Sequence, residues 1–409
     1  MLERVKCRML PDVKFKSEFV AFMYLFASFQ GALVFSSLFI NLFLLNGSDM
    51  SRICIYNGTI WAVQPFAYFL CGYLSKKTNM PSQIRVSLIS ISLVYLSLIL
   101  LREKASDYAF LLGVFTGISY GFYYLPHSYL MNELNDRTTV DAGLNSISLI
   151  GSVEGILIPL ISGAIVTAMP GISGYLTVFG FSFILMLTAF VLSFRLPKNK
   201  HQSSYQILPA LHQYVHEKSW RIMLIVDFLR AFREGGLAFI ISILMFVCVP
   251  NELFVSMNST ICSIATIFAI FVALKRLNAQ NRLNYYFYCS FAVFLASCIL
   301  FFHQGFVVLF LFSLVNAVCG NITANTSTAM EFDVLNQWYL IGEYRSETFA
   351  LREVVVCYSR VVMMILLFLI EQQGLKSVFV IALYIAGICL VQFFLTFLLK
   401  LLQKEMDIE

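Results

Sequence analysis

The chain has 409 residues, 59% hydrophobic and 12% charged, with a mean hydropathy of +0.80 and a formal net charge of +5. Soluble domains are about one-quarter charged, so no soluble domain of useful size fits this composition. Apolar runs of about 18 residues or more, each able to cross about 30 Å of hydrocarbon, recur along the whole length and indicate an all-α polytopic membrane protein with the lipid bilayer as its first partner.

The opening "MLERVKCRMLPDVKFKSE" is basic and polar, and the apolar run behind it is too long for a signal core, so no cleaved leader is expected. Twelve transmembrane helices are predicted at approximately 19–45, 53–74, 84–101, 107–131, 142–168, 174–196, 221–249, 252–274, 283–302, 305–330, 346–370 and 375–401. The thinnest division is the "PNE" between spans seven and eight. With the N-terminus in the cytoplasm, twenty Lys and Arg fall on the cytoplasmic side. Four fall outside: Arg52, Arg102, Lys104 and Lys376. Positive loops stay inside, so both termini are expected in the cytoplasm of a multi-pass cell-membrane protein. The positive net charge is this bias and no sign of nucleic acid.

The longest polar connection, "LPKNKHQSSYQILPALHQYVHEKSW", divides the chain near its middle. Six spans (1–196), a cytoplasmic linker (197–218) and six more spans (219–409) resemble the plan of the major facilitator superfamily, in span count, loop rhythm and orientation. After span two, "GYLSKKTNMPSQIR" keeps Gly72, Lys76 and Lys77 of that superfamily's loop pattern, with Lys76 where the pattern has its Asp; after span eight, "ALKRLNAQNRLNYY" keeps Lys275 and Arg276. "REGG" in span seven and "RSETFALREVVVCYSR" in span eleven are similar to an uncharacterised bacterial branch. The resemblance implies two six-helix halves, and spans one, four, seven and ten lining a central path.

Span seven carries "DFLRAFREGG", four charges inside an apolar helix. Each costs roughly 2.5–3.5 kcal/mol at the helix centre unless it meets a partner or water. Asp227, Arg230 and Glu234 fall within about 60° of one another on a helix and can form an i,i+3 and i,i+4 ladder. Arg233 points roughly 120° away. It is expected to pair across to span eleven, whose charges are Arg352, Glu353 and Arg360, with Glu353 as the carboxylate available. By rise per residue, Glu353 lies at about the depth of Arg230, and Arg360 at that of Glu234. The cluster reads as a static tie between helices, as a proton pathway with Glu234 foremost, or as charges that reach to the cytoplasmic surface, of which Asp227, one to two turns in, is the first candidate. Glu154 stands near mid-depth in span five with no Lys or Arg in its own span, and is the second proton-linked candidate. Around it "GSVEGILIPLISG" sets Gly151, Gly155, Pro159 and Gly163 four apart, a spacing that lets helices approach closely. The stretch resembles, without its Gly-Pro pair and final double Gly, a pattern of proton-linked exporters in that superfamily.

Polar and aromatic side chains recur at helical spacing in the spans that the resemblance places around the path. They are Gln30, Ser37 and Asn41 in span one; Tyr120, Tyr124 and His127 in span four; Asn321 and Asn325, with Asn316 further out, in span ten. A second face, Asn57, Trp61, Gln64 and Tyr68, lies in span two. Such faces also bridge helices without meeting cargo, but Tyr and Trp pair a flat apolar body with one polar handle and suit an amphipathic molecule. The ten cysteines form no CxxC pair, and no His or Cys stands at ligand spacing from His127, so no metal is expected. No GxxxxGK[ST] loop and no hydrolytic constellation occur, so neither a nucleotide cofactor nor an enzyme is expected. The sequence points to a monomeric secondary transporter using alternating access, with proton-coupled export of a lipophilic or amphipathic small molecule first. Uptake of a small polar metabolite, and a membrane scaffold or sensor that does not transport, stay open.

Overall fold

The computed structural model describes residues 15–45, 50–75, 77–134, 140–169, 171–197, 207–276, 281–300, 302, 305–337, 345–372 and 378–406. Among these residues all regular structure is helical and no strand occurs. The long helices are α1 (Ser17–Leu45), α2 (Met50–Leu74), α3 (Met80–Leu101), α4 (Ala109–Glu133), α5 (Val140–Ala168), α6 (Ile172–Leu192), α7 (Lys218–Cys248), α8 (Glu252–Arg276), α9 (Arg282–Ile299), α10 (Phe306–Gln337), α11 (Arg345–Gln372) and α12 (Val378–Met406). A short helix, Ile207–His216, precedes α7, and a 3₁₀ segment, Arg102–Tyr108, joins α3 to α4. Nine stretches of the described residues are long and apolar enough to cross a membrane; one of them, Met80–Met131, runs through both α3 and α4. α2 and α9 are not among the nine. The first is diluted by Arg52, Asn57 and Gln64, the second by Arg282, Asn284 and three tyrosines.

Local chemistry sets several boundaries. At "PNE" the chain breaks between α7 and α8, and Asn251 accepts a hydrogen bond from Leu253 N at 2.9 Å. α3 starts four residues before its predicted start, because Asn79 caps it by accepting from Ser82 N at 3.0 Å and Pro81 fits the first turn. Gly171, at φ 62°, turns the chain into α6 in a conformation that side chains resist. Of the loop pattern after span two, Lys76 lies outside the described residues. Gly72 accepts from the Ser75 hydroxyl at 2.6 Å, and Arg85 fastens α3 to the end of α6 through Ser193 Oγ at 3.2 Å.

Helix packing repeats. The pairs α1–α6, α3–α6, α2–α4, α3–α4 and α1–α5 pack together, and so do α7–α12, α9–α12, α8–α10, α9–α10 and α7–α11. α5–α8 and α2–α11 carry most of the contact between these two groups. One cluster joins Phe39, Ile40, Leu42, Phe43 and Leu44, where α1 ends, to Leu237, Ile240, Ile241, Ile243, Leu244 and Met245 toward the end of α7, all buried, and it runs on through Phe19, Phe22, Met80 and Ile84 to the other end of the first group. Two smaller clusters stand apart from it, one around Trp220, Met223 and Val226 and one around Ala67, Cys71 and Phe122.

Candidate functional site

The charged residues of α7 and α11 meet, and α10 joins them. Asp227 lies between two guanidinium groups, with Arg230 Nη2 at 3.2 Å and Arg352 Nε at 3.3 Å. Arg352 Nε also contacts Glu331 of α10 at 2.7 Å. Arg230 donates to Ser327 Oγ at 3.1 Å and Thr328 Oγ1 at 3.0 Å, and stands 3.9 Å from Glu234. The other oxygen of Glu234 is 3.8 Å from Arg360 Nη2. The Arg360 head lies 5.7 Å from the ring centre of Trp61 on α2, and its stem runs along Gly235, where a Cβ would come within 2.8 Å of Arg360 Cγ. Glu353 accepts from Gln64 of α2 at 2.8 Å. With Glu331 counted, Asp227, Glu234, Glu331 and Glu353 balance Arg230, Arg233, Arg352 and Arg360, so the cluster carries no formal excess charge into the membrane.

Two sequence readings change, and one residue joins the cluster. Arg233 does not pair with Glu353: it is buried and donates to Asn316 Oδ1 on α10, because its direction on α7 carries it away from α11. Asp227 does not reach for the surface: it is 1% exposed, held by two arginines. Glu331 lies just past the apolar run of span ten, while the helix continues to Gln337. Its signal was the i,i+4 step from Ser327 in the same face of α10.

The expected lining residues fall into two sets. Asn41 accepts from Asn57 at 2.9 Å and so bridges α1 to α2. Asn316 is taken by Arg233, and Asn325 donates to Asn321 at 3.0 Å within α10. Gln30 is half-buried, and Ser37, Tyr124 and Asn325 are exposed. Tyr120 and Tyr124 pack edge to face at 5.9 Å, and Tyr124 is within electrostatic reach of Glu353 and Arg360. His127 sits among Phe22, Phe26 and Tyr123, with ring centres 5.2, 5.4 and 5.5 Å away. Glu154 lies apart from the α7–α11 cluster, against Gly31 of α1: a Cβ there would come within 3.3 Å of Glu154 Oε1. Its Oε2 is buried with no hydrogen-bond partner among the described residues. The site thus combines a nearly closed charge network, one loose and partly open ion pair (Glu234–Arg360), and an aromatic wall from Trp61, Tyr120 and Tyr124.

No family model matches the chain. It is 26% identical over 343 residues, 84% of its length and 80% of the other's, to the uncharacterized protein YqgE of Bacillus subtilis strain 168. Among solved structures, the nucleoside transporter NupG superposes with a TM-score of 0.68 at 14% identity, covering 93% of this chain and 98% of NupG. The transporter PepTSo of the POT family gives 0.72 at 10% identity, covering 97% and 99%. A single-substitution variant of the E. coli fucose:proton symporter FucP gives 0.62 at 14%, covering 92% and 97%. These neighbours are transporters, not enzymes. The resemblance drawn from span count and loop rhythm fits them: the chain has the fold of the major-facilitator type of transporter.

Proposed function

We propose that the chain is a secondary active transporter of the cell membrane that works by alternating access as a monomer. It crosses twelve times, as two six-helix halves (1–196 and 219–409) joined by a cytoplasmic linker (197–218), with both termini in the cytoplasm. The support is the recurrence of the α1–α6 pairings in α7–α12, with α5–α8 and α2–α11 as the seams. Two halves that touch along two seams can rock about a site between them. The cargo is an amphipathic small molecule, set against Trp61, Tyr120 and Tyr124, and protons drive it through Glu234, with Glu154 second.

The observation that carries the coupling is the Glu234–Arg360 pair. It spans α7 and α11 at 3.8 Å with side chains 34% and 26% exposed, whereas the Asp227 and Glu331 side chains are 2% and 3% exposed. A stretched, open pair between helices parts when they move, and it is the one that water and cargo reach. The sequence favours export, in which proton and cargo compete; the fucose:proton symporter among the structural neighbours favours a second reading, uptake with the proton.

Proteoliposomes test the coupling. With a pH gradient and labelled aromatic amines, aromatic carboxylates and nucleosides as trial cargo, the native protein should accumulate at least one. Glu234→Gln should abolish accumulation and leave counterflow exchange. A mutant that still concentrates cargo would make Glu234 structural and move the role to Glu154.

A further inference from the structure

We infer that the cargo is an organic anion, an acid group on a flat apolar body, which takes Arg360 from Glu234 as that carboxylate gains a proton. The inference rests on the transporter reading and gives its cargo a charge. Arg360 is the guanidinium of the cluster for which no hydrogen bond is seen among the described residues, and its one carboxylate is loose and partly exposed. Arg230 has Asp227 at 3.2 Å and two hydroxyls near 3.0 Å, and Arg352 has Glu331 at 2.7 Å and Asp227 at 3.3 Å. Arg233 donates to Asn316. Arg360 has one carboxylate at 3.8 Å, beyond hydrogen-bond distance; its buried Nε, like those of Arg230 and Arg233, has no hydrogen-bond partner among the described residues. Glu353, the other carboxylate of its face, is engaged by Gln64.

The arm is nevertheless placed. Gly235 leaves a channel for its stem and the Trp61 ring supports its head. A guanidinium fixed in this way presents paired N–H donors that match a carboxylate. Trp61 and Tyr124, on the α2 and α4 side, supply flat surfaces for the rest of the molecule.

The charge arithmetic sets the coupling. An anion entering a site of balanced charges adds one negative charge in a poorly solvated place, which is costly alone. If Glu234 takes up one proton, its carboxylate becomes a neutral acid, Arg360 changes partner from Glu234 to the anion, and the site's net charge is unchanged. Around Glu234, α7 presents Arg230 and α11 presents Arg360. Tyr286 of α9 is within electrostatic reach, and Tyr384 of α12 stands beside Gly236. Asp227 and Glu331 are held by Arg352. α1, α2 and α8 carry no Asp, Glu, Lys or Arg between their end turns, and α12 adds only Lys400, close to its C-terminal end, so no other charge on them competes. Proton and anion therefore bind together and travel in the same direction, which selects uptake over export.

The test measures binding on the purified, detergent-solubilised chain without a gradient. The probes are 2-naphthoate, neutral 2-naphthamide and cationic 2-naphthylmethylammonium, read by thermal shift and by tryptophan fluorescence, with Trp61→Phe removing the fluorescence response. Naphthoate alone should stabilise the protein, and more at about pH 5.5 than at about pH 7.5, both above its own carboxyl range. Glu234→Gln should bind naphthoate several-fold more tightly than native protein at the higher pH, and with no pH dependence, since the competitor is gone. Arg360→Gln should lose binding. Arg360→Lys, which keeps the charge, should retain a weakened form and so separate loss of the cation from loss of the fold. Stabilisation by the amine instead of the acid, no response to naphthoate, or naphthoate binding unchanged in Arg360→Gln would each overturn the anion. A protein that binds no naphthoate yet accumulates another compound refutes the anion and keeps the transporter. Naphthoate bound at Arg360 but moved by no gradient does the reverse.

Discussion

Arg352 ties three helices through one guanidinium: its own α11, α7 through Asp227 and α10 through Glu331. Removing one member of such a buried group leaves the others charged and unpaired, at about 3–5 kcal/mol. Arg352→Gln should therefore lower folded yield and melting temperature sharply. Adding Glu331→Gln should restore part of the loss, because one stranded carboxylate is then neutral. Strictly additive losses would remove the tie. The pair Glu353→Gln and Arg233→Gln should behave in the opposite way and add, since Gln64 and Asn316 are their partners. What was legible at this scale was local. Asp227, Arg230 and Glu234 announce their ladder because i,i+3 and i,i+4 neighbours are fixed by helix geometry. Arg233 and Glu331 did not announce theirs, because both reach across to other helices. Rotation about each helix axis then decides the partner, and no spacing within one span encodes it.

Helix contacts show the same division between local pattern and tertiary use. The four-residue repeat in α5 is visible in the sequence, but its members are spent unequally. A Cβ at Gly151 would meet nothing within 4 Å, and one at Gly155 would meet Ser263 at 3.6 Å, whereas Gly163 packs directly on Ser256 of α8. The tighter stripe is Gly113, Gly117 and Gly121 of α4, set among aromatic residues in the sequence. There a Cβ would come within 2.7 Å of Tyr56 O and 2.8 Å of Ile60 O, backbone atoms of α2 that cannot step aside. Close approach of this kind is what small residues contribute in membranes, where no hydrophobic force draws helices together. Gly117→Ala should cost at least the roughly 1–3 kcal/mol of an overpacked core and appear as lost monodisperse protein in detergent. Gly151→Ala should leave yield and melting temperature unchanged. Equal effects of the two would separate the stripe from the α2–α4 contact.

On the scale of the whole molecule, buried apolar side chains join α1 and α7 at the end where both finish, and a polar contact adds to that closure. Tyr175 of α6 donates to Glu252 at the start of α8 at 2.7 Å, with its ring held by Phe39 and Phe43 of α1. Just beyond it, Gly163 of α5 lies on the fully buried Ser256 of α8. The proposed alternating access requires this end to open in turn, and such an open state must lose the Tyr175–Glu252 bond. A hydrogen bond to a charged acceptor is worth about 1.5–3 kcal/mol. Deleting it with Tyr175→Phe therefore shifts the closed–open balance by about tenfold or more, since each 1.4 kcal/mol is a factor of ten. A reporter cysteine at Ser256, in a background without the native cysteines, is sealed while the end is shut. A membrane-impermeant maleimide added outside should label Ser256→Cys slowly, and markedly faster when Tyr175→Phe is added. Glu252→Gln should accelerate it less, because an amide oxygen still accepts the bond. An unchanged rate in Tyr175→Phe would mean that the tyrosine only packs and does not latch. Labelling that proceeds only from the cytoplasmic side would invert the orientation proposed from the loop charges, and with it the identity of the open face.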